Sequence, residues 1–346
     1  MTNRMEYLTF FNGQKMPILG LGTAQALGDD VEKAIDKALE IGYRHIDTAQ
    51  RYNNEAQIGR ALKKWLDSGK IKREDLFIVT KLPSTGNRAE CVEKHLKQSL
   101  HDLQLDYVDL YLVHQPTGYQ DVDPKDNGGK MLLDVNTDHV SLWKAMEAQV
   151  DAGRARSIGL SNFNARQVKR VWQSARIRPA NLQVELHVYF QQAELRAFCR
   201  ALDVTVCAYI PLGGPHRQPP SHNANAADAN KLSNHIQLTN PVVSQIAQKH
   251  SKTNAQILLR YLIQLGVAVI PKSTNPDRLQ QNFDVFDFEL SPEDMDMLER
   301  LDKGPAGRQV RSHIPEMANH PEYPYNERYW FREKSMTDER VRTSLF

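Results

Sequence analysis

Four side chains able to carry proton chemistry sit at or just past the ends of three short apolar runs. Asp47 closes "RHID" and Tyr52 opens the helical pattern that follows; Lys81 lies at the end of "LFIVTKL" and His114 at the end of "YVDLYLVH". An acid, a phenol, an amine and an imidazole brought to one place would make a tuned proton donor. A free phenol titrates near pH ~10, so it needs help to act near neutrality. A cationic Lys nearby lowers that value, an Asp fixes the Lys, and a His completes the hydrogen-bond set. Taken singly, each has an ordinary explanation: a Tyr starting a helix packs, a Lys ending a strand is solvated, and a lone His is structural. Their joint placement after three consecutive runs points to a site, although composition alone does not name the reaction. Within "YRHIDTAQRYNNE" (43–55), Asp47 and Tyr52 are expected to face that site, with Arg44 and Glu55 as ion-paired scaffolding around them.

Positioning those side chains requires a regular frame. "YLTFFNGQKMPIL" sets Asn12-Gly13 between two apolar runs, a hairpin signal. Helical periodicity then appears over 31–40, 55–66, 89–103, 140–150, 165–174, 193–202 and 254–265. Between these lie "RHID", "LFIVTKL", "YVDLYLVH", "ARSIGLS", "NLQVEL", "VTVCAYIPL" and "VAVIPKS", with a weaker eighth run, "FDVFDFEL", at 283–290. Several runs are apolar on consecutive residues, the pattern of parallel strands buried on both faces. Seven or eight strand-then-helix units predict an α/β protein built as a single (β/α)8 TIM barrel, ahead of a doubly wound open sheet with a second domain. Three segments break the alternation: "HQPTGYQDVDPKDNGGKMLLDVNTDH", "GGPHRQPPSHNANAADANKLSNHIQLTN" and the tail from about Gly304. Loops that follow barrel strands lie on the face that carries active sites, so long loops over the C-terminal face are expected, with the stretch beyond Glu327 packing on the barrel. Plain disorder suits 223–230 and the last dozen residues.

Length and composition narrow the class. The chain has 346 residues, 40% hydrophobic and 25% charged, with a net charge of +2, a bias too weak to indicate nucleic acid or a membrane as partner. Cys91, Cys199 and Cys207 show no CxxC spacing; buried, inert thiols in a reducing compartment are expected. "MTNRMEYLTF" has no secretory apolar core, and no apolar run nears the roughly 20 residues of a spanning helix. A cytoplasmic location follows as the expectation. The twelve His make no metal-site spacing, and there is no HExxH and no Walker loop, so no metal is expected.

"GYRHIDTAQRYNNEAQIGRAL", "VTKL", "DLYLVHQP", "GLSNFN" and "IPKSTNPDRLQQNFDVFDFELS" closely resemble the aldo-keto reductases, in particular the aldehyde/aldose reductase branch. The likeness runs from the N-terminal hairpin to "HPEYPYNE". It implies one barrel domain over 1–346, with 305–346 as a C-terminal loop and tail extension, and reduction of aldehydes, ketones or sugars with NADPH. By that resemblance Tyr52 is the general acid, Lys81 and Asp47 lower its pKa, and His114 orients the substrate carbonyl. Ser161, Asn162 and Gln183 match the trio that holds the nicotinamide carboxamide, and Tyr209 the aromatic stacked on its ring. Gly22, Thr23, Asp47, Leu212 and Gly213 match cofactor positions nearby, toward the ribose and pyrophosphate. Lys272, Ser273 and Arg278 supply the charge and hydroxyl that a ribose 2′-phosphate needs, and Gln281 and Asn282 match adenine contacts. "GLGTAQ" lacks the third Gly of GxGxxG, which counts against a Rossmann domain. Family resemblance also implies a monomer acting on a small-molecule carbonyl substrate. The competing expectation is a non-catalytic NADPH-binding structural or regulatory protein on the same fold.

The departures bear on substrate. Ala24, Pro83 and Gln115 stand where that branch carries tryptophan walls, which predicts a wider, more polar pocket. Gln25 replaces a Lys that helps clasp the pyrophosphate, so faster release of NADP+ is expected. The 215–238 loop is expected to fold over the cofactor.

Overall fold

The computed structural model describes residues 5–122, 125, 132–214, 236–310 and 315–325. The Asn12-Gly13 signal forms its hairpin: β1 (Tyr7–Thr9) pairs antiparallel with β2 (Lys15–Pro17). Gly13 turns at φ 84°, in the left-handed region that favours glycine. The chain then runs through β3 (Leu21–Gly22), α1 (Asp29–Ile41), β4 (His45–Asp47), α2 (Glu55–Asp67), β5 (Phe77–Leu82), α3 (Val92–Leu103) and β6 (Val108–Val113). A small hairpin, β7 (Gly118–Tyr119) with β8 (Leu133–Asp134), precedes α4 (His139–Asp151), β9 (Ala155–Ser161), α5 (Ala165–Ser174), β10 (Asn181–Glu185), α6 (Ala193–Ala201) and β11 (Thr205–Tyr209). The last elements are α7 (Pro241–His250), α8 (Asn254–Gln264), β12 (Ala268–Val269), α9 (Pro276–Phe283) and α10 (Pro292–Glu299).

The main sheet has the order β3-β4-β5-β6-β9-β10-β11-β12, parallel throughout. Its two edges meet: Leu19 bridges to Val269 and Gly22 to Lys272, both in parallel sense. Val269 N donates to Ile18 O at 2.8 Å and Gly20 N to Val269 O at 2.9 Å across the seam. Gly22 is needed there, because a Cβ would come within 2.6 Å of Ile270 O. The closed sheet with helices outside is the (β/α)8 barrel that the alternation predicts. Every residue of β5 and β6 is buried, which is why those strands read as unbroken apolar runs. Asn12 Nδ2 donates to Ser157 Oγ at 2.9 Å, and that hydroxyl donates to Gln14 Oε1 at 2.5 Å, so the hairpin is tied to β9.

The eighth strand is not where the sequence predicts it. Residues 284–290 are irregular, and Leu21–Gly22 takes the place instead. The barrel is already closed by β3, so no strand edge remains for 284–290; Val285 and Leu290 are buried singly, and Gln256 Nε2 donates to Asp284 O at 2.9 Å. Gly20 and Gly22 interrupt the apolar run around Leu21, so this strand leaves no pattern to read. Helices α7, α9 and α10 also escape the periodicity analysis, although each begins with Pro after an Asn or Ser cap, a start signal in its own right. The pattern at 89–103 opens with a 3-10 turn, Ala89–Cys91, before α3. Cys199 and Cys207 are buried, whereas Cys91 is only half-buried, and all three are free. Among the described residues, no helix is long and apolar enough to cross a membrane, and no group of three or more His, Cys, Asp or Glu could hold a metal ion. The 223–230 stretch, most of the 215–238 loop and the last dozen residues lie outside the described residues.

Candidate active site

β4 ends at Asp47, paired across the sheet with Val79 of β5. Lys81 lies two residues beyond Val79, on the same face of that strand. Its Nζ donates to Asp47 Oδ1 at 2.6 Å and to Thr48 O at 2.9 Å, with both side chains almost wholly buried. The other Asp47 oxygen accepts from Gln183 Nε2 at 2.7 Å. Two charges removed from water are therefore paired and further hydrogen-bonded, as their burial requires.

Tyr52 follows in a one-turn 3-10 helix, Gln50–Tyr52, which Asn53 stops at φ 53°. Lys81 Nζ lies 5.2 Å from the Tyr52 ring centroid, and His114, the first residue after β6, meets that ring edge-on at 5.7 Å. Burial raises the Tyr52 hydroxyl above its ordinary value, and the Lys81 charge opposes the rise without cancelling it. Of the two groups expected to lower the phenol's pKa, Lys81 does pull it down but Asp47 pushes it up, and burial, the largest effect, leaves the phenol holding its proton more firmly than a free Tyr. Burial, helped by the Lys81 and Arg51 charges, holds His114 well below the usual imidazole range. At neutral pH His114 is therefore uncharged, and its Nδ1 is buried with no hydrogen-bond partner among the described residues.

The other expected residues surround this core. Ser161 ends β9, and Asn162 follows at φ 65°, with its backbone N–H donating to Gln183 O at 3.0 Å. Asn162 Nδ2 donates to His114 O at 2.8 Å, joining the trio of Ser161, Asn162 and Gln183 to the proton-handling group. Tyr209 ends β11 and donates to Asn162 Oδ1 at 2.7 Å. The next residue, Ile210, has φ 45°, costly for a β-branched side chain and typical of functional sites. Gly22 and Thr23 lie beside Asp47, with Thr23 Oγ1 donating to Asp47 O at 2.9 Å. Gly213 turns at φ 76° beyond half-buried Leu212. Ala24 and Gln115 are half-buried, Pro83 is buried and Gln25 is exposed.

Lys272 and Arg278 are exposed near the start of α9, which Asn275 caps by accepting from Arg278 N at 3.0 Å. Neither forms a salt bridge among the described residues. Two cations beside a helix N-terminus, even with Asp277 in the first turn, supply donors that suit a phosphate group. Ser273 is buried nearby with its hydroxyl turned to Asn275 O at 3.3 Å. Gln281 is exposed, and Asn282 is buried on the same helix. The residues present therefore fit a phosphorylated dinucleotide.

The model of the Aldo/keto reductase family matches residues 18–303. This chain belongs to that family. It is 44% identical over 328 residues to aldo-keto reductase family 1 member A1 of Mus musculus, covering 92% of this chain and 97% of that one. It is 42% identical over 333 residues to the Gallus gallus protein of the same name, covering 94% and 98%. Among solved structures it resembles the aldose reductase from Schistosoma japonicum at 42% identity and TM-score 0.83, covering 94% of this chain and all of that one. The protein is an oxidoreductase of the aldehyde/aldose reductase branch, and the family implies a nicotinamide cofactor.

Family membership does not draw attention to every residue that shapes the site. Buried Asn54 receives the Thr48 hydroxyl at 3.0 Å and donates to Thr23 O and Ala26 O, both at 2.9 Å, tying the loops after β3 and β4 together. The expected ion-paired scaffolding is not seen: among the described residues neither Arg44 nor Glu55 forms an ion pair. Arg44 instead donates to Leu39 O and Tyr43 O at the end of α1. Glu55 is buried and accepts from Thr80 Oγ1 at 2.5 Å and Ser99 Oγ at 2.9 Å. Their nearness in sequence hid the fact that α2 carries Glu55 inward while Arg44 stays on the outside of the barrel. Tyr325, on the C-terminal segment, donates to Asn162 Oδ1 at 3.1 Å; its position in an irregular tail gave no periodic signal.

Proposed function

We propose that this protein reduces aldehydes, ketones or sugars to alcohols with NADPH, Tyr52 acting as general acid. The observation that carries this is the buried Asp47–Lys81 pair, 2.6 Å apart, beneath a Tyr52 ring that His114 meets edge-on. Bound NADPH would supply a hydride, with its two electrons, from nicotinamide C4 to the carbonyl carbon. Tyr52 gives its proton to the carbonyl oxygen, and the phenolate left behind is stabilised by the Lys81 ammonium until solvent returns the proton. A phenol that holds its proton until that moment suits a donor. Neutral His114 orients the carbonyl by hydrogen bonding, without competing as an acid.

Ser161, Asn162 and Gln183 would hold the carboxamide, and Tyr209 would stack on the ring and fix which face is presented. Gly22, Thr23, Leu212 and Gly213 would line the ribose and pyrophosphate. Lys272, Ser273 and Arg278 would take the 2′-phosphate, with Gln281 and Asn282 at the adenine. Ala24, Pro83 and Gln115 leave the substrate mouth wider and more polar than three tryptophans would. In this reading residues 1–346 act as one cytoplasmic, monomeric barrel domain, with 305–346 as its extension.

The test follows NADPH consumption over a panel of aldehydes, ketones and sugars in wild type and Tyr52→Phe. Turnover is expected to fall by roughly 10²–10⁴ in the variant, the usual contribution of a positioned acid, with NADPH affinity retained. Tight NADPH binding without turnover in wild type would establish a binding protein instead; turnover that survives Tyr52→Phe would place the acid elsewhere.

A further inference from the structure

The side-chain amide of Asn162 is fully committed within the protein. Its Nδ2 donates to His114 O at 2.8 Å and to Ser161 Oγ at 3.1 Å. Its Oδ1 accepts from the Tyr209 hydroxyl at 2.7 Å and the Tyr325 hydroxyl at 3.1 Å. An Asn amide offers two donors and two acceptor lone pairs, so nothing is left over for a ligand. Three of the four partners are fixed by the sheet: His114 follows β6 directly, Ser161 ends β9 and Tyr209 ends β11. The fourth comes from the far end of the chain, beyond the Pro315–Asn319 turn, and makes the longer of the two bonds to Oδ1.

A carboxamide that is to donate to Asn162 needs one of those lone pairs. Tyr209 ends its strand and makes the shorter bond, so the hydroxyl that gives way is that of Tyr325, which also meets the Tyr209 hydroxyl. We infer that Tyr325 is a positioning residue whose hydroxyl holds the Asn162 acceptor meant for the nicotinamide carboxamide, so that cofactor binding competes with the docking of Tyr325. This rests on the NADPH reading of the site. The C-terminal segment thereby senses whether the nicotinamide end is filled, and by linkage anything that tightens the Tyr325–Asn162 contact weakens the cofactor by the same factor. Other anchors of the segment stay in place: Arg170 Nη1 donates to Glu322 Oε1 at 2.7 Å, Asn164 Nδ2 donates to Pro324 O at 3.2 Å, and the Arg308 guanidinium lies 3.8 Å from the Tyr325 ring centroid. The exchange is therefore confined to one hydroxyl.

Tyr325→Phe removes that hydroxyl and keeps the ring against Arg308. Calorimetric titration with NADP+ is expected to show binding roughly three- to tenfold tighter in the variant, the range spanned by one net neutral hydrogen bond. 2′,5′-ADP, which lacks the nicotinamide, is expected to bind both proteins equally. A merely structural Tyr325 has the opposite signature: NADP+ binding loosened or unchanged, or both ligands shifted together, and each of these overturns the inference. Failure of folded wild type to bind NADP+ at all would overturn the cofactor reading and the inference with it.

Discussion

The polar side chains of residues 43–55 divide between fold and site. Tyr43 donates to Leu279 O at 3.0 Å, fixing α1 against α9, and His45 is buried with Nδ1 2.9 Å from Pro17 O, at the base of the barrel. Asp47 and Tyr52 face the mouth. Glu55 lies behind it, accepting from the hydroxyl of Thr80, the residue next to Lys81. Burial pushes its carboxyl up to about 7, against the pull of the Thr80 and Ser99 hydrogen bonds. From the ordinary value of 4.5 up to about 7, the folded protein holds a proton that the unfolded chain has lost. Stability must therefore fall as pH rises through that window and level off above it, by as much as roughly 3 kcal/mol from this group. Glu55→Gln is always neutral, and Ser99 and Thr80 can rotate their hydroxyls to suit it. Denaturant unfolding at pH 5 and pH 7.5 is expected to show a smaller difference in the variant than in wild type, with the variant the more stable at pH 7.5. Equal pH dependence in the two proteins would mean that Glu55 is ionised throughout.

Among the elements, α2 shows most directly how packing overrides local preference. Gly59 lies in its interior, where Ala would gain roughly 1 kcal/mol in helix propensity. A Cβ at Gly59, however, would lie 2.2 Å from Asp102 O and 2.8 Å from Leu103 C, backbone atoms at the end of α3. Neither can swing aside as a side-chain tip could, so α2 and α3 must separate. Overpacking of this kind costs roughly 1–3 kcal/mol or more, which exceeds the propensity gain. Gly59→Ala is expected to lower the midpoint of unfolding, whereas Ala at Gly69, where a Cβ would meet nothing within 4 Å, adds only the strain of φ 69°. A Gly59→Ala protein as stable as wild type would show that the two helices are not held this close.

At the scale of the whole molecule, the sequence makes legible what repeats or what reacts. Seven of the eight barrel strands read as short apolar runs and seven helices as helical periodicity, and the tetrad residues lie at or just past strand ends. What stays hidden is short or distant in sequence: Leu21–Gly22 has no period to read, the sign of the Tyr52 shift depends on burial, and Tyr325 reaches Asn162 from the other end of the chain. That return of the C-terminal segment rests on Glu322. Its carboxylate pairs with Arg170 Nη1 at 2.7 Å and accepts from Gln167 Nε2 at 3.0 Å, with His139 Nδ1 at 3.8 Å. Burial raises this carboxyl, but the Gln167 and Arg170 hydrogen bonds outweigh it and hold the group below its ordinary 4.5. A depressed carboxylate contributes docking strength above the ordinary value and loses it as pH falls through the lower, folded one. Glu322→Gln keeps the shape and discards the charge, so at neutral pH it should resemble the wild type in acid. A partly exposed ion pair contributes about 1 kcal/mol, which corresponds to roughly fivefold more of the undocked form. Limited proteolysis, where cleavage follows the open population, should accordingly cut the 315–325 segment about fivefold faster in Glu322→Gln at pH 7. The difference should close when both proteins are cut at a pH below the folded value; equal rates at pH 7 would mean that the aromatic and backbone contacts of Tyr325 and Pro324 hold the segment without Glu322.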